Sequence, residues 1–397
     1  MAIIFNIGES VKLSAFNILQ EPIKMLMENE TEAFEKGSKL SEVYVMRTLD
    51  KYQEEFRSRT AMDGFKPTED LEPAGLSDFG EGYRKVFRTQ IWTNSFVISK
   101  QTMEDNQMMD INTSAVGFIK SYGRTRERYG MAMLAGAVST TDGFVEFEGK
   151  KFDVRGGDTQ DGSVDGTGVP QLYFHNAHKL CAAWTDAAKT TLKTQSNKFK
   201  VTAGIDLGEA GAVEKMADAI SQVAAKMQKY TDEKGNLLAL SPTKILIPGG
   251  QPKLRDAIVI GLKSKYGATM GANGINPIYG KYEIVELPYL DGLPGFTDAD
   301  QGFIMLDPMA NREYLGAVWH DRTPLEVDSY TDKGNKANVW DGRARFGAGF
   351  NNYRAMAYVH TGADTGSTAG AYANAEALTI APVGGGAVAV HDIGKGA

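Results

Sequence analysis

His175, His178 and Cys181 stand in an H-x2-H-x2-C run, and two imidazoles with a thiolate at that spacing are ligands for zinc or another transition metal. No acidic ligand or second cluster accompanies them, and the run opens an apolar stretch, so packing and helix capping explain the same residues. Asp161-x-Ser163-x-Asp165-Gly166 spaces its oxygens like the first half of a calcium loop. The bidentate Glu that closes such a loop is replaced by Leu172, which points to a turn-rich surface loop instead. Gly347-Ala348-Gly349 lacks the rest of a dinucleotide fingerprint, and no Walker lysine motif, nucleophile elbow or zincin motif is present. Lys120, Arg124, Arg126 and Arg128 form a basic cluster offset only by Glu127, suited to phosphate or an acidic neighbour, or simply to a solvated helix face. These residues assemble no catalytic constellation, and no cofactor or metal is expected.

The elements that position them belong to a chain of 397 residues, long enough for two or three packing units. With 42% hydrophobic and 23% charged residues, wholesale disorder and fibrous repeats are excluded. Forty-three basic against 50 acidic side chains leave a net charge of −7, which argues against sequence reading of nucleic acid but not against non-specific contact. Cys181 is the only cysteine, so an intrachain disulfide is impossible. The opening Met1 to Glu9 lacks the basic region of a signal peptide, and no apolar run reaches the roughly 18 to 20 residues of a membrane span. A soluble protein made inside the cell is expected, with no membrane partner.

Residues 1 to 37 are mixed and Glu-rich and read as an arm; a helix from Ser38 or Ser41, carrying Leu40, Val43, Tyr44 and Tyr52, follows it. Gly and Pro punctuate residues 58 to 82 before the β-forming run from Tyr83 to Trp92, which predicts a long projecting loop closed by a strand. Thr102 caps the strongest helix, whose apolar positions Ile111, Ala115, Phe118, Tyr122, Tyr129 and Met133 run to about Ala137, on the order of 50 Å. Asp-Gly and Gly-Gly pairs fill 141 to 170. A helix on Val213 to Met227, a buried strand at Lys244 to Pro248, a helix after Pro252 and a strand at Tyr282 to Leu287 then make an α/β unit. Strands dominate Gly302 to Val359, and the Ala- and Gly-rich tail beyond His360 holds a small hairpin of Leu378 to Ala381 with Val388 to Val390. Arms at both ends, a long loop and no chemistry together suggest assembly.

The ordered series resembles the major capsid proteins of tailed bacteriophages, the Hong Kong 97-type fold. Trp92-Thr93-Asn94-Ser95-Phe96-Val97-Ile98-Ser99-Lys100 ahead of Glu104-Asp105 is similar to that family's entry to its spine helix. Leu172 to His178 resembles the link from spine to axial domain, and Asp232 to Leu238 with Ile245-Leu246-Ile247-Pro248 resembles the axial turn and central strand. Gly302 to Pro308 and Trp340 to Gly349, with Tyr353-Arg354-Ala355, look like the closing peripheral strands. The resemblance covers about residues 50 to 360.

The resemblance implies an α+β fold divided into an N-terminal arm with helix (1–57), extended loop (58–100), spine helix of a peripheral domain (101–140), loop-rich insertion (141–170), axial α/β domain (171–300), peripheral strands (301–360) and C-terminal tail (361–397). It implies a non-catalytic head-shell subunit that self-assembles into hexamers and pentamers around double-stranded DNA, touched without sequence reading. Scaffolding, portal and decoration proteins are the further partners, and the virion, assembled in the host cytoplasm, is the location. Lys66, Lys85, Arg124, Arg126 and Arg128 are the candidates for contact between subunits. The family's isopeptide cross-link would draw on Lys66 or Lys85 with Asn338 or Asn351. An encapsulin-like compartment shell and a metal-dependent enzyme using His175, His178 and Cys181 are the alternatives.

Overall fold

The computed structural model describes residues 4–7 and 15–380, apart from 60, 63, 66, 69, 71, 72, 74, 77–79, 105–107, 164–166, 181–193, 210, 264–277, 333, 335 and 336. Strand β1 (Ile4–Ile7) precedes helix α1 (Ala15–Gly37), so the expected arm contains a 23-residue helix. Its apolar stripe is narrow, Ile23, Met27 and Thr31 at intervals of four, yet that suffices because all three are buried. The helix that follows is shorter than expected. It is a single turn, α2 (Leu40–Val43), and the chain turns extended at β2 (Val45–Thr48), which is bounded by β-branched Val45 and Thr48 and has a strand partner available.

The projecting loop is a hairpin of β3 (Gln53–Arg59) and β4 (Glu81–Arg88), and β5 (Gln90–Ile98) leads on from it. Ser99, not Thr102, caps the next turn: its hydroxyl accepts the Thr102 N–H at 3.1 Å at the head of α3 (Lys100–Glu104). The long helix α4 (Met108–Ser139) then runs 32 residues, about 48 Å. Phe34 of α1 lies against α4 where only Gly123 fits, since a Cβ there would meet the ring at 2.5 Å.

The Gly-rich stretch folds into two small antiparallel pairs, β6 (Phe144–Phe147) with β7 (Lys150–Asp153), and β8 (Arg155–Thr159) with β9 (Pro170–Leu172). In the half-loop, the Asp161 carboxylate accepts the Ser163 N–H at 3.0 Å, which closes a turn; Asp165 and Gly166 lie outside the described residues. Strands β10 (His178–Lys179) and β11 (Thr194–Gln195) pair next. There follow β12 (Lys198–Val201), α5 (Ala212–Gln228), β13 (Lys244–Pro248), α6 (Pro252–Lys263), β14 (Glu283–Leu287), β15 (Phe303–Leu306), α7 (Pro308–Tyr314), β16 (Ala317–Thr331), β17 (Asn338–Phe350), β18 (Met356–His360), α8 (Ala369–Tyr372) and β19 (Glu376–Leu378).

Two sheets organise this α+β chain. One runs β1-β16-β17-β5, with β2 also on β16; the other is mixed, ordered β14-β13-β15-β18-β12-β19. The second sheet departs from the grouping read along the sequence. Phe303–Leu306 and Met356–His360 pair with the α/β unit rather than with the closing strands around them, and Glu376–Leu378 of the tail adds a parallel strand on β12; Val388–Val390 of the expected hairpin lie outside the described residues. All of β15 and β18 are buried apolar runs apart from His360, which suits interior strands and gives no period to place them by.

One core face of the first sheet packs on α4. Phe346 stacks between Trp92, 4.9 Å away, and Trp319, 5.3 Å away, and Tyr129 of α4 meets Trp92, Trp319 and Phe346 at angles of 60° or more.

Candidate functional site

Of the five basic residues expected at subunit contacts, the structure turns two inward. Lys85 on β4 is buried and donates to Arg155 O at 2.7 Å and to the Asp153 carboxylate at 3.2 Å. Desolvation lowers its ammonium pKa against the pull of Asp153. Arg126 on α4 is also buried: it donates to Asp321 Oδ2 at 3.0 Å and to the Tyr122 hydroxyl at 2.9 Å, with its guanidinium over Trp319 and Phe346 at 5.2 and 5.3 Å. These two side chains fasten hairpin and long helix to their own subunit. A charge at an element boundary is sequence-visible, but whether its partner is internal depends on Asp153 and Asp321, 68 and 195 residues away. Arg124 and Arg128 are exposed, the latter 3.5 Å from Glu148. Lys66 lies outside the described residues.

Asn338 and Asn351, the expected cross-link acceptors, are both buried. Lys85 is also held inside its own subunit, and Lys66, the other lysine of that reading, lies outside the described residues.

The histidine run is a structural knot. His178 is fully buried, with Nδ1 2.7 Å from Asp158 Oδ2, Nε2 2.9 Å from Asn197 Oδ1, and its ring stacked 3.8 Å from Tyr353. The Asn197 amide is oriented by its own donors, which reach the carbonyls of Tyr173, Tyr353 and Met356, so its oxygen faces His178 and the His175 N–H. Both ring nitrogens of His178 are thereby occupied and neither is free for a metal. His175 Nδ1 meets the Ala177 N–H and Gln171 Nε2, each at 3.0 Å, and burial, with the nearby charges of His178 and Lys198, pushes its pKa down to about 4. Cys181 lies outside the described residues, and among the described residues no three His, Cys, Asp or Glu side chains gather as a metal site. Asp158, Asn197 and Tyr353 carried no motif; only folding brings β8, the β11–β12 link and the β17–β18 link together here.

Two further buried groups went unread. Lys198 donates to Val138 O at 2.9 Å and Gly370 O at 2.6 Å, and burial without a carboxylate pushes its pKa down to about 7. It satisfies a carbonyl of the last turn of α4. At the hairpin root, His320 sits among Phe56 and Phe87 with Nδ1 3.5 Å from Glu54; burial and Arg47 push its pKa down to about 4. At the other end of that hairpin, among the described residues, Phe65 and Leu76 are fully exposed.

Residues 179–359 match a family model, that of phage capsid proteins. Over that span the chain is similar to phage capsid proteins. The matching span contains β16 and β17 of the first sheet and most strands of the second. No curated protein matches the chain. Among solved structures it is similar to the mature capsid of bacteriophage PhiM1, at 12% identity over 80% of this chain and 84% of that one with a TM-score of 0.45. It is also similar to the capsid of cyanophage P-SCSP1u, at 12% identity over 80% and 86% with a TM-score of 0.40. A third is a virus-like particle from Pyrococcus furiosus, at 8% identity over 86% and 98% with a TM-score of 0.43. Among the described residues, no helix is long and apolar enough to cross a membrane.

Proposed function

We propose that this chain is the major subunit of an icosahedral phage head shell with the Hong Kong 97-type arrangement, a structural protein without catalysis. The observation that carries the reading is the phage capsid match across 179–359, which takes in the β16–β17 pair of the first sheet and most of the second. The geometry supports it: a hairpin rooted in its own subunit through Lys85, Glu54 and Phe87 carries fully exposed Phe65 and Leu76 at its far end. Apolar side chains displayed on a long ribbon stabilise nothing in a lone subunit and gain burial only against a neighbour. Flat subunits join in hexamers and pentamers, while hairpin and arm lie over adjacent copies. Packaged double-stranded DNA is contacted without sequence reading, and scaffolding, portal and decoration proteins complete the head, assembled in the host cytoplasm.

Electron microscopy and sedimentation of the chain, alone and with the products of neighbouring genes, test this. Closed shells or capsomer rings are expected, with DNA-filled particles in the presence of the packaging partners. A monomer that persists with every partner present overturns it, and cargo-filled shells without DNA would assign the chain to a compartment instead.

A further inference from the structure

The face of the first sheet turned away from α4 carries six charges that make no ion pair among the described residues, although the Arg345 guanidinium lies over the Tyr52 ring at 6.0 Å. Arg322, Glu326 and Asp328 lie on β16, and Asp341, Arg343 and Arg345 on β17; among the described residues, none of the six has an oppositely charged group within ion-pair distance. Asp328, Asp341 and Arg343 are exposed and the others half-buried. Their order is set by the register. Asp328 stands directly opposite Asp341, Glu326 opposite Arg343, and Arg345 opposite Thr323, one residue from Arg322. Carboxylates facing each other across a ladder repel. At the other end the arginines crowd, and desolvation together with Arg322 and Arg343 holds the Arg345 guanidinium below its ordinary pKa. An acidic row and a basic row therefore lie about 13 Å apart along the strands, with the Glu326–Arg343 row midway.

We propose that this face docks on the same face of a second copy about a two-fold axis that lies across the strands at the Arg343 row. That axis reverses the strands and keeps β16 over β16 and β17 over β17. Asp341 then meets the Arg345 position of its partner copy, and Asp328 meets the Arg322 position. A dyad along the strands would instead set each row on itself, carboxylate on carboxylate. Equal numbers of the two signs, separated into opposite rows, are the self-complementary layout that an isologous contact requires. A phosphate backbone would fit the arginine row but not the acidic one beside it. The contact area, on the order of 400 Å² a side from strand spacing and rise, places it among weak, salt-sensitive associations. The contact does not depend on closed shells, so it extends the shell reading rather than resting on it.

The test is sedimentation velocity of the purified full chain at about 0.05 M and about 0.5 M salt, for wild type, Asp341→Arg, Arg345→Asp and the double exchange. Each single reversal is expected to weaken dimer formation tenfold or more, and the double exchange to restore it to within threefold. In a Cys181→Ser background, Arg343→Cys, adjacent to the axis, is expected to oxidise to a covalent dimer and nothing larger. Melting curves of the same variants check that the fold is intact. Single reversals without effect, a double exchange that fails to rescue, a covalent ladder beyond the dimer, or a monomer at every concentration each overturn the proposal. Binding of a DNA duplex that is lost with Arg345→Asp and not regained in the double exchange assigns the face to phosphate. Dimers without shells would remove the shell reading alone, and shells with unaffected reversals would remove this one alone.

Discussion

His178 meets Asp158 through one ring nitrogen and Asn197 through the other, so removing the imidazole takes the Asp158 carboxylate's partner away in a dry interior and leaves the Asn197 oxygen only the His175 N–H. His178→Ala is expected to lower stability by about 3 kcal/mol, combining the unpaired carboxylate with a cavity. Arg124→Ala, at an exposed helix position, should stay within about 0.5 kcal/mol by the same denaturant titration. The pH dependence has two arms. His175 and His320 have folded pKa values near 4 against about 6.5 unfolded, so their contribution is present above pH 6.5 and is lost as pH falls towards 4. Lys198, near 7 in the fold against about 10.5 unfolded, works on the alkaline side: below pH 7 it is charged in both states and its burial counts against the fold, and stability recovers as pH rises from 7 to 10.5. Melting temperatures across pH 4 to 10 check both, with Lys198→Met expected to lose the alkaline rise and keep the acid loss.

At the scale of elements, α1 and the long helix meet where Gly123 leaves room for the Phe34 ring. Gly123→Val is expected to cost about 1 to 3 kcal/mol and to release α1, seen as early proteolytic cutting within residues 15–37, and Phe34→Ala in the same chain should restore protection. This helix was hard to see in the sequence because Pro22 and the glutamates break any wide apolar stripe, and three buried positions spaced by four residues mean little until α4 is there to receive them. Val45–Thr48 was likewise assigned to a helix on its neighbours' periodicity, whereas its pairing with Val318–Asp321 decides it. The long helix itself was legible, since its apolar positions recur over eight turns and that much repetition outweighs local propensity.

The whole molecule separates into parts that stabilise one subunit and parts that do not. Deleting residues 61–79 and closing the hairpin with a short turn is expected to leave the melting temperature within about 2 °C, because Phe65 and Leu76 there are fully exposed, yet to abolish shells in electron microscopy. A deletion that lowers the melting temperature strongly would mean the loop packs on its own subunit. Phe87→Ala at the hairpin root is the contrast: this side chain is buried against Phe56 and His320, and its loss should cost about 3 to 5 kcal/mol.

From the sequence alone came the α+β class, the long helix, the projecting loop before Tyr83, the strands at Lys244–Pro248 and Val339 to Phe350, and the resemblance to phage capsid proteins. Those features depend on periodicity, turn residues and order along the chain, which are local and one-dimensional. Only the tertiary structure decided that Lys85 and Arg126 point inward, that His178 joins distant segments through both ring nitrogens, and that Phe303–Leu306 and Met356–His360 complete the second sheet. Each of those outcomes is set by a partner tens to hundreds of residues away. A charged or apolar side chain looks the same in sequence whether its partner lies inside the subunit, across an interface, or in water.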